Sequence, residues 1–345
     1  MSPGKVLMAD VARAAGVARV TVSRVLSDPE SVAPATRRAV EAAIAALGYV
    51  PNLNAGTLAS SRSRIVGAIV PTLSNSWFAD TMDGLSEALA AAGYQLMLGQ
   101  TRYDPEAEER LVDAFLGRRV DAMVLTGTAH APGVRDQLQR AGVPTVECWD
   151  LCDDPIDMVV GFSNEATGAA VAGHLLAQGR RRLGFVGANE DRSHKRLAGY
   201  RAAVTRAGAV DVAVEIVAPP SSIEDGARGL ARLMAREPDL QAVFCSNDTL
   251  AVGALFECRR RGWAVPGQLA VVGFSDLPVA AACVPALSTV RIASARLGRR
   301  VGTLLLQRCG AVPTPDEGVG RVHDLGFTLI GRASTLGDHV GAAAV

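Results

Sequence analysis

Residues 7–50 read LMADVARAAGVARVTVSRVLSDPESVAPATRRAVEAAIAALGYV. Three short helices fit this stretch. The first, near residues 8–15, ends at Gly16, which takes a positive φ without steric cost and so allows a sharp turn. The second, near 19–27, offers Val22, Val25 and Leu26 to a core. In the third, Val40, Ala43, Ile44 and Leu47 recur at i, i+3, i+4 and i+7, and Gly48 closes it. Two helices about a tight turn, braced by a third, have the spacing of a helix-turn-helix. In that arrangement the second helix enters the major groove, with Arg19, Val20 and Thr21 outward and Ser23 and Arg24 near the groove or the phosphates. A plain three-helix cap with no nucleic-acid role fits the same spacing.

Residues 1–62 hold seven basic groups against four acidic ones, a net charge of +3, in a chain of 345 residues whose overall charge is zero. The excess suits a small module meeting phosphates and equally an ordinary Arg-rich surface. Beyond the Ala-Ser-Ser-Arg-Ser stretch at 59–63 the pattern changes. Apolar runs at 65–70, 95–99, 122–126, 145–148, 158–161, 183–186, 215–217, 242–245 and 269–273 alternate with helical stretches such as 79–92 and 106–117. Near-continuous apolar strands separated by amphipathic helices read as an α/β fold with parallel sheets buried on both faces. The run is too long for one sheet of ordinary size, so two doubly wound sheets are expected, with a ligand cleft at the carboxyl ends of their strands. The expected division is 1–50 for the helical module, 51–63 for a linker, 64–332 for the two-lobed domain and 333–345 for a tail.

Hydrophobic residues make up 49% of the chain and aromatics only 4%, so the core is built from Ala, Val and Leu. Six cysteines are scattered without a CxxC spacing and are expected to be reduced. No apolar stretch is long enough to span a bilayer, and no cleavable leader precedes residue 17, so a cytoplasmic location is expected. Little points to an enzyme. Gly161-Phe162-Ser163 and Gly273-Phe274-Ser275 lack the final glycine of a nucleophile elbow, no phosphate-binding glycine loop follows a strand, and the five histidines show no metal spacing. No cofactor is called for.

The wording of the module goes further than its spacing. Asp10-Val11-Ala12, Ala15-Gly16-Val17, Thr21-Val22-Ser23-Arg24-Val25-Leu26 and Gly48-Tyr49-Val50-Pro51-Asn52 closely resemble the signature of the lac repressor (LacI) family. The resemblance implies a DNA-binding transcription regulator, with operator DNA and a small-molecule effector as partners and a homodimer as the working unit. Residues 51–59 look like the family's hinge, which becomes helical on the operator; Asn52, Ala55 and Leu58 are the residues it would bring to DNA, Leu58 matching the leucine that opens a base step in the minor groove. Two positions depart from the pattern. Ala18 and Ala33 stand where relatives place helix-capping residues, a change worth roughly 1 kcal/mol each. Val20 replaces a polar base-reading residue and implies an apolar contact, such as a thymine methyl.

From Arg64 to Arg332 the chain resembles the family's ligand domain, which shares its fold with periplasmic sugar-binding proteins. Ile65-Val66-Gly67, the stretch from Pro71 to Phe78, Arg196-Leu197-Ala198-Gly199-Tyr200, Phe244-Cys245-Ser246-Asn247-Asp248 and Val272-Gly273-Phe274 carry the likeness. By position it implies that Trp77 and Phe78 pack a ligand's apolar face, that Arg196 holds its hydroxyls or carboxylate with Arg192 as a second donor, and that Asn247 bonds it from the opposite wall. Trp77 and Phe78 as core aromatics, and Arg196 as a surface residue, are the rival readings. Asp150 and Asp276 are further candidates as hydroxyl acceptors; in many relatives an acid directly follows the Gly-aromatic pair, whereas here Ser275 holds that place and Asp276 comes next. Residues 127–130, 144–147, 160–162, 256–258 and 324–329 look most like the gluconate-utilisation branch, implying a repressor released by a sugar acid such as gluconate or a phosphorylated relative. An activator, or a regulator that needs its ligand in order to bind, has the same architecture.

Overall fold

The computed structural model describes residues 6–50, 62–74, 76–209, 211–314 and 320–337. The hinge positions Asn52, Ala55 and Leu58 lie outside them. Contacts divide the chain into two units, 1–63 and 64–345.

In the first unit, α1 (Met8–Ala14), α2 (Arg19–Ser27) and α3 (Pro34–Leu47) enclose a small core of Val11, Ala12, Val22, Val25, Val40, Ala43 and Tyr49. Gly16 turns the chain between α1 and α2 at φ +66°, and Gly48 ends α3 at φ +61°. Two expected core residues are not buried: Leu26 and Leu47 are each 37% exposed. Both sit at the flank of their helix's apolar stripe, and a module this small seats only its centre. Tyr49 takes the place instead, carried under the bundle by the turn at Gly48. Ala18 and Ala33 stand at the amino ends of α2 and α3 and supply no side-chain cap, although Pro34 presets the first turn of α3.

The second unit holds two all-parallel sheets. The strands are β1 (Ile65–Val70), β2 (Gln95–Gln100), β3 (Ala122–Thr126), β4 (Thr145–Cys148), β5 (Met158–Gly161), β6 (Leu183–Ala188), β7 (Ala213–Val217), β8 (Ala242–Cys245), β9 (Ala270–Val272), β10 (Thr289–Arg291), β11 (Val322–Asp324) and β12 (Thr328–Ile330). The first sheet has the order β11-β5-β4-β3-β1-β2 and the second β7-β6-β8-β9, while β10 and β12 pair antiparallel. The chain passes between the sheets three times: after β5, after β10, and from β11 to β12. The last three strands were not expected from the apolar pattern, because they are three residues long and β11 and β12 are partly exposed. Residues 333–336, expected in a tail, form a short helix instead. Ser334 donates to the Val271 carbonyl at 2.6 Å and Thr335 bonds Ser288 at 2.7 Å, so this segment belongs to the second lobe.

Three helix pairs cross at van der Waals limits through reciprocal glycines: α4 (Ser76–Ala91) with α12 (Ser294–Arg308), α7 (Asn164–Ala177) with α8 (Asp191–Arg206), and α9 (Ile223–Arg236) with α10 (Asp248–Arg261). The remaining helices of the unit are α5 (Pro105–Gly117), α6 (Val134–Ala141), α11 (Pro278–Ala282) and α13 (Ala333–Leu336). A Cβ on Gly298 would lie 1.9 Å from the Thr81 carbonyl oxygen, on Gly199 1.9 Å from that of Glu165, and on Gly253 1.9 Å from that of Ile223. A Cβ on Gly168 would meet the carbonyl oxygen of Arg196 itself at 1.9 Å. Close packing against Gly168 therefore fixes the backbone from which Arg196 projects. Gly168→Ala is expected to destabilise the protein by about 1–3 kcal/mol through overpacking, measured by urea denaturation; wild-type stability would show that α7 and α8 can move apart freely.

A second brace shapes the wall of the first lobe. His130, in the loop after β3, places Nδ1 2.8 Å from Glu108 and Nε2 3.2 Å from Glu147, and Glu147 also accepts from the Ile156 amide at 2.5 Å. Burial opposes the imidazolium charge, but the hydrogen bonds and charges of Glu108 and Glu147 outweigh it and lift the His130 pKa to about 9. A raised pKa stabilises the fold fully below about pH 6.5 and ceases to do so as the pH climbs through about 9. The stability gap between wild type and His130→Gln is thus expected to be on the order of 3 kcal/mol at pH 6 and to shrink towards pH 9.5. A gap independent of pH would show that His130 acts by shape alone.

Candidate functional site

The carboxyl ends of both sheets converge on one cleft, as parallel α/β folds require. Its outer part is a cavity of about 390 Å³ lined by the segments after β2, β3 and β6, including Tyr103, Glu108, His130, Asn189, Glu190 and Arg192. Its inner part, of about 20 Å³, is walled by Trp77, Phe78, Tyr103, Trp149, Glu190, Arg192, Arg196, Ser221, Ser246, Asn247 and Phe274. Tyr103, Glu190 and Arg192 face both.

Aromatic rings form the apolar surface. Trp77, Phe78, Trp149, Phe162 and Phe274 make a chain of ring contacts with centroids 5.3 to 5.9 Å apart. Trp149 donates its indole N–H to Thr81 at 3.1 Å and holds φ at 72°, a conformation that a bulky side chain adopts only when its surroundings impose it. Trp77 and Phe78 are core side chains that also line the inner cavity.

Onto these rings are laid two buried guanidinium groups. Arg192 lies over Phe78 at 5.2 Å and Arg196 over Phe274 at 4.2 Å. Glu190 bridges them, accepting from Arg192 at 2.6 Å and from Arg196 at 3.3 Å, while Arg196 donates to Asn164 at 2.6 Å. Burial works against the Glu190 charge, yet the two arginines hold its carboxyl below the usual range. Burial lowers Arg196 to about 10, so it keeps its charge at neutral pH; for Arg192 the attraction of Glu190 outweighs burial and its pKa rises. The Nη1 of Arg192 and the Nε of Arg196 are buried without a partner. Such orphaned donors are costly unless something accepts from them.

The sequence-derived candidates divide accordingly. Trp77, Phe78, Arg192, Arg196 and Asn247 meet around the inner cavity, and the surface reading of Arg196 fails, since it is 4% exposed. Asn247 spends its polar atoms locally, capping α10 through the Leu250 amide and donating to Ser221, both at 2.9 Å. Asp150 is not part of the lining. It is buried and accepts from Thr128, Asn164 and Lys195. Asp276 also lies away from the lining, held by Arg291 at 2.6 Å and Arg332 at 2.7 Å, where it clamps the crossover strands. Glu190, Tyr103 and Trp149 were missed by sequence reading; their signal was position, because each lies within three residues of the carboxyl end of a strand.

In the first unit, Arg19, Val20, Ser23 and Arg24 are exposed along one face of α2 and Thr21 is half-buried. Val17, Ala18, Val20, Thr21, Arg24 and Thr36 line a shallow concavity beside it. Arg37 is engaged by Glu30 at 2.5 Å, whereas Arg19 and Arg24 have no carboxylate partner among the described residues, leaving their charge available to phosphates.

Residues 7–52 match the lacI family of bacterial regulatory proteins, and residues 172–335 match the periplasmic binding protein-like domain. The chain is 38% identical to the HTH-type transcriptional regulator GntR of Pseudomonas aeruginosa, with 96% of each chain covered. A crystal structure of a LacI-family transcriptional regulator from Silicibacter pomeroyi matches with a TM-score of 0.88 at 32% identity, over 96% of this chain and 99% of that one. The lac repressor dimer bound to operator and the anti-inducer ONPF matches with a TM-score of 0.83 at 25% identity, over 96% and 99%. No described helix is long and apolar enough to cross a membrane. The chain belongs to the lacI family of bacterial regulatory proteins, which are DNA-binding transcription regulators and not enzymes.

Proposed function

We propose that this protein is a dimeric, cytoplasmic repressor of genes for sugar-acid catabolism, released from its operator when a gluconate-like effector enters the cleft. The observation that carries the effector reading is the pair of buried guanidiniums with unpaired N–H donors on aromatic walls. Planar donors of this kind suit a carboxylate, and aromatic faces suit the C–H face of a polyol. The GntR relative is named an HTH-type transcriptional regulator, which supports the regulator reading.

Arg192 and Arg196 take the effector's carboxylate, and Trp77 and Phe78 pack its carbon chain. An inner cavity of about 20 Å³ has room for a single water, so a sugar acid enters only as the walls part. The walls belong to different lobes joined by three crossovers, and their movement is what residues 51–63 transmit to the amino-terminal units. A two-fold operator needs two recognition helices about one turn of DNA apart, as in the lac repressor dimer. On each, Arg19, Val20, Thr21, Ser23 and Arg24 are the residues assigned to the groove, and Asn52, Ala55 and Leu58, outside the described residues, are those assigned to the hinge contacts with DNA.

Two measurements check this reading. In anisotropy titrations on a duplex from the protein's own upstream region, gluconate is expected to weaken specific binding by about 5- to 150-fold. Arg196→Gln should remove that response while leaving ligand-free binding in place. Specific binding that ignores gluconate would refute the effector, and no specific binding under any condition would refute the regulator. For the module, Arg24→Ala is expected to reduce the slope of log affinity against log salt by about 1, and an unchanged slope would remove Arg24 from the phosphate contacts.

A further inference from the structure

Glu190 is the one acidic side chain among the charged groups of the inner cavity wall; the other two are Arg192 and Arg196. We propose that Glu190 selects the ligand by charge: the trio carries one uncompensated positive charge, which matches a monoanion and disfavours both dianions and neutral sugars. The inference rests on the sugar-acid reading above and specifies it.

The count applies to the inner wall, where no fourth charged side chain lies among the described residues; Asp150 acts on both arginines from behind the wall, where Lys195 pairs with it. Glu190 is 13% exposed and engages one Nη atom of each arginine. Asn164 takes the remaining Nη of Arg196. Of the guanidinium nitrogens, Arg192 Nη1 and Arg196 Nε are buried and have no protein acceptor, so each arginine keeps donor capacity for an anion. The neighbouring charges are engaged elsewhere: Asp150 and Asp191 both contact Lys195, and Asp104 contacts Arg110. Of these, Asp191 is 45% exposed and screened by solvent.

Aromatic surroundings make the count matter, because an unmatched charge in a site of low dielectric loses its water without gaining a partner. A dicarboxylate or phosphorylated sugar would leave one negative charge over, and a neutral sugar would leave one guanidinium without a counter-charge. Replacing Glu190 by Gln raises the wall to +2, and replacing Arg192 by Gln lowers it to zero, with little change of shape in the first case.

The test is isothermal titration of the full-length wild type, Glu190→Gln and Arg192→Gln with glucose, gluconate and glucarate, which carry zero, one and two negative charges. Wild type is expected to prefer gluconate to either alternative by about tenfold or more. In Glu190→Gln the gluconate-to-glucarate preference should fall by about tenfold, and in Arg192→Gln the gluconate-to-glucose preference should fall by a similar factor. If both anions bind Glu190→Gln with the wild-type ratio, Glu190 does not select by charge. Should that variant not fold, an unchanged gluconate-to-glucose ratio in Arg192→Gln overturns the proposal on its own. If wild type binds none of the three probes, the sugar-acid reading itself fails and this inference with it. If wild type binds gluconate and glucarate equally, only the selectivity is refuted.

Discussion

Two guanidinium groups buried against aromatic rings are the constraint around which the effector unit is arranged. Removing such ions from water costs several kcal/mol each unless their hydrogen bonds and charge are matched. Glu190 supplies most of the match, Asn164 accepts from Arg196, and the faces of Phe78 and Phe274 supply a further favourable surface. The arrangement works only if the amino end of α8 is held in place, and the glycines do this. Gly168 and Gly199 bring α7 and α8 so close that the Arg196 carbonyl lies where a side chain would be. The same device in α4 with α12 and in α9 with α10 makes each lobe stiff. Under the proposed mechanism, the motion that a ligand drives is expected at the three crossovers and not within the lobes.

The crossovers carry their own clamp. Asp276, held by Arg291 and Arg332, joins the loop after β9 to β10 and to the end of β12. It thus braces the route by which the lobes are connected, while the residue before it, Ser275, keeps a buried hydroxyl without a partner. The amino-terminal unit is built more lightly. Its α2 and α3 lack side-chain caps, and its core holds seven buried apolar side chains among the described residues.

Much of this was legible in the sequence. Five of the nine expected strands have the observed ends, because an apolar run buried on both faces is a strong signal in a parallel sheet. The module was legible from its glycine turns and its apolar spacing, and the mistakes at Leu26 and Leu47 follow from a core too small to seat every apolar residue of the stripe. In the cleft, Trp77, Phe78, Arg192, Arg196 and Asn247 were placed by resemblance, and they meet. Asp150 and Asp276 lie outside the described lining because a carboxylate's partners are set in three dimensions: Lys195 pairs with Asp150, and Arg291 and Arg332 pair with Asp276. Glu190 was missed for the same reason. On the sequence it is one acid in Glu190-Asp191, and only burial distinguishes the residue that bridges two arginines from the one that faces solvent.

The proposed ligand site and DNA site share a coupling free energy, and linkage makes that coupling reciprocal. The most direct measurement is the dissociation constant of gluconate for the dimer, determined calorimetrically in the absence of DNA and again on saturating operator duplex at the same salt. The account predicts that operator weakens gluconate binding by the same factor by which gluconate weakens operator binding. Identical gluconate affinity on and off the operator would show that the cleft and the recognition helices are not coupled.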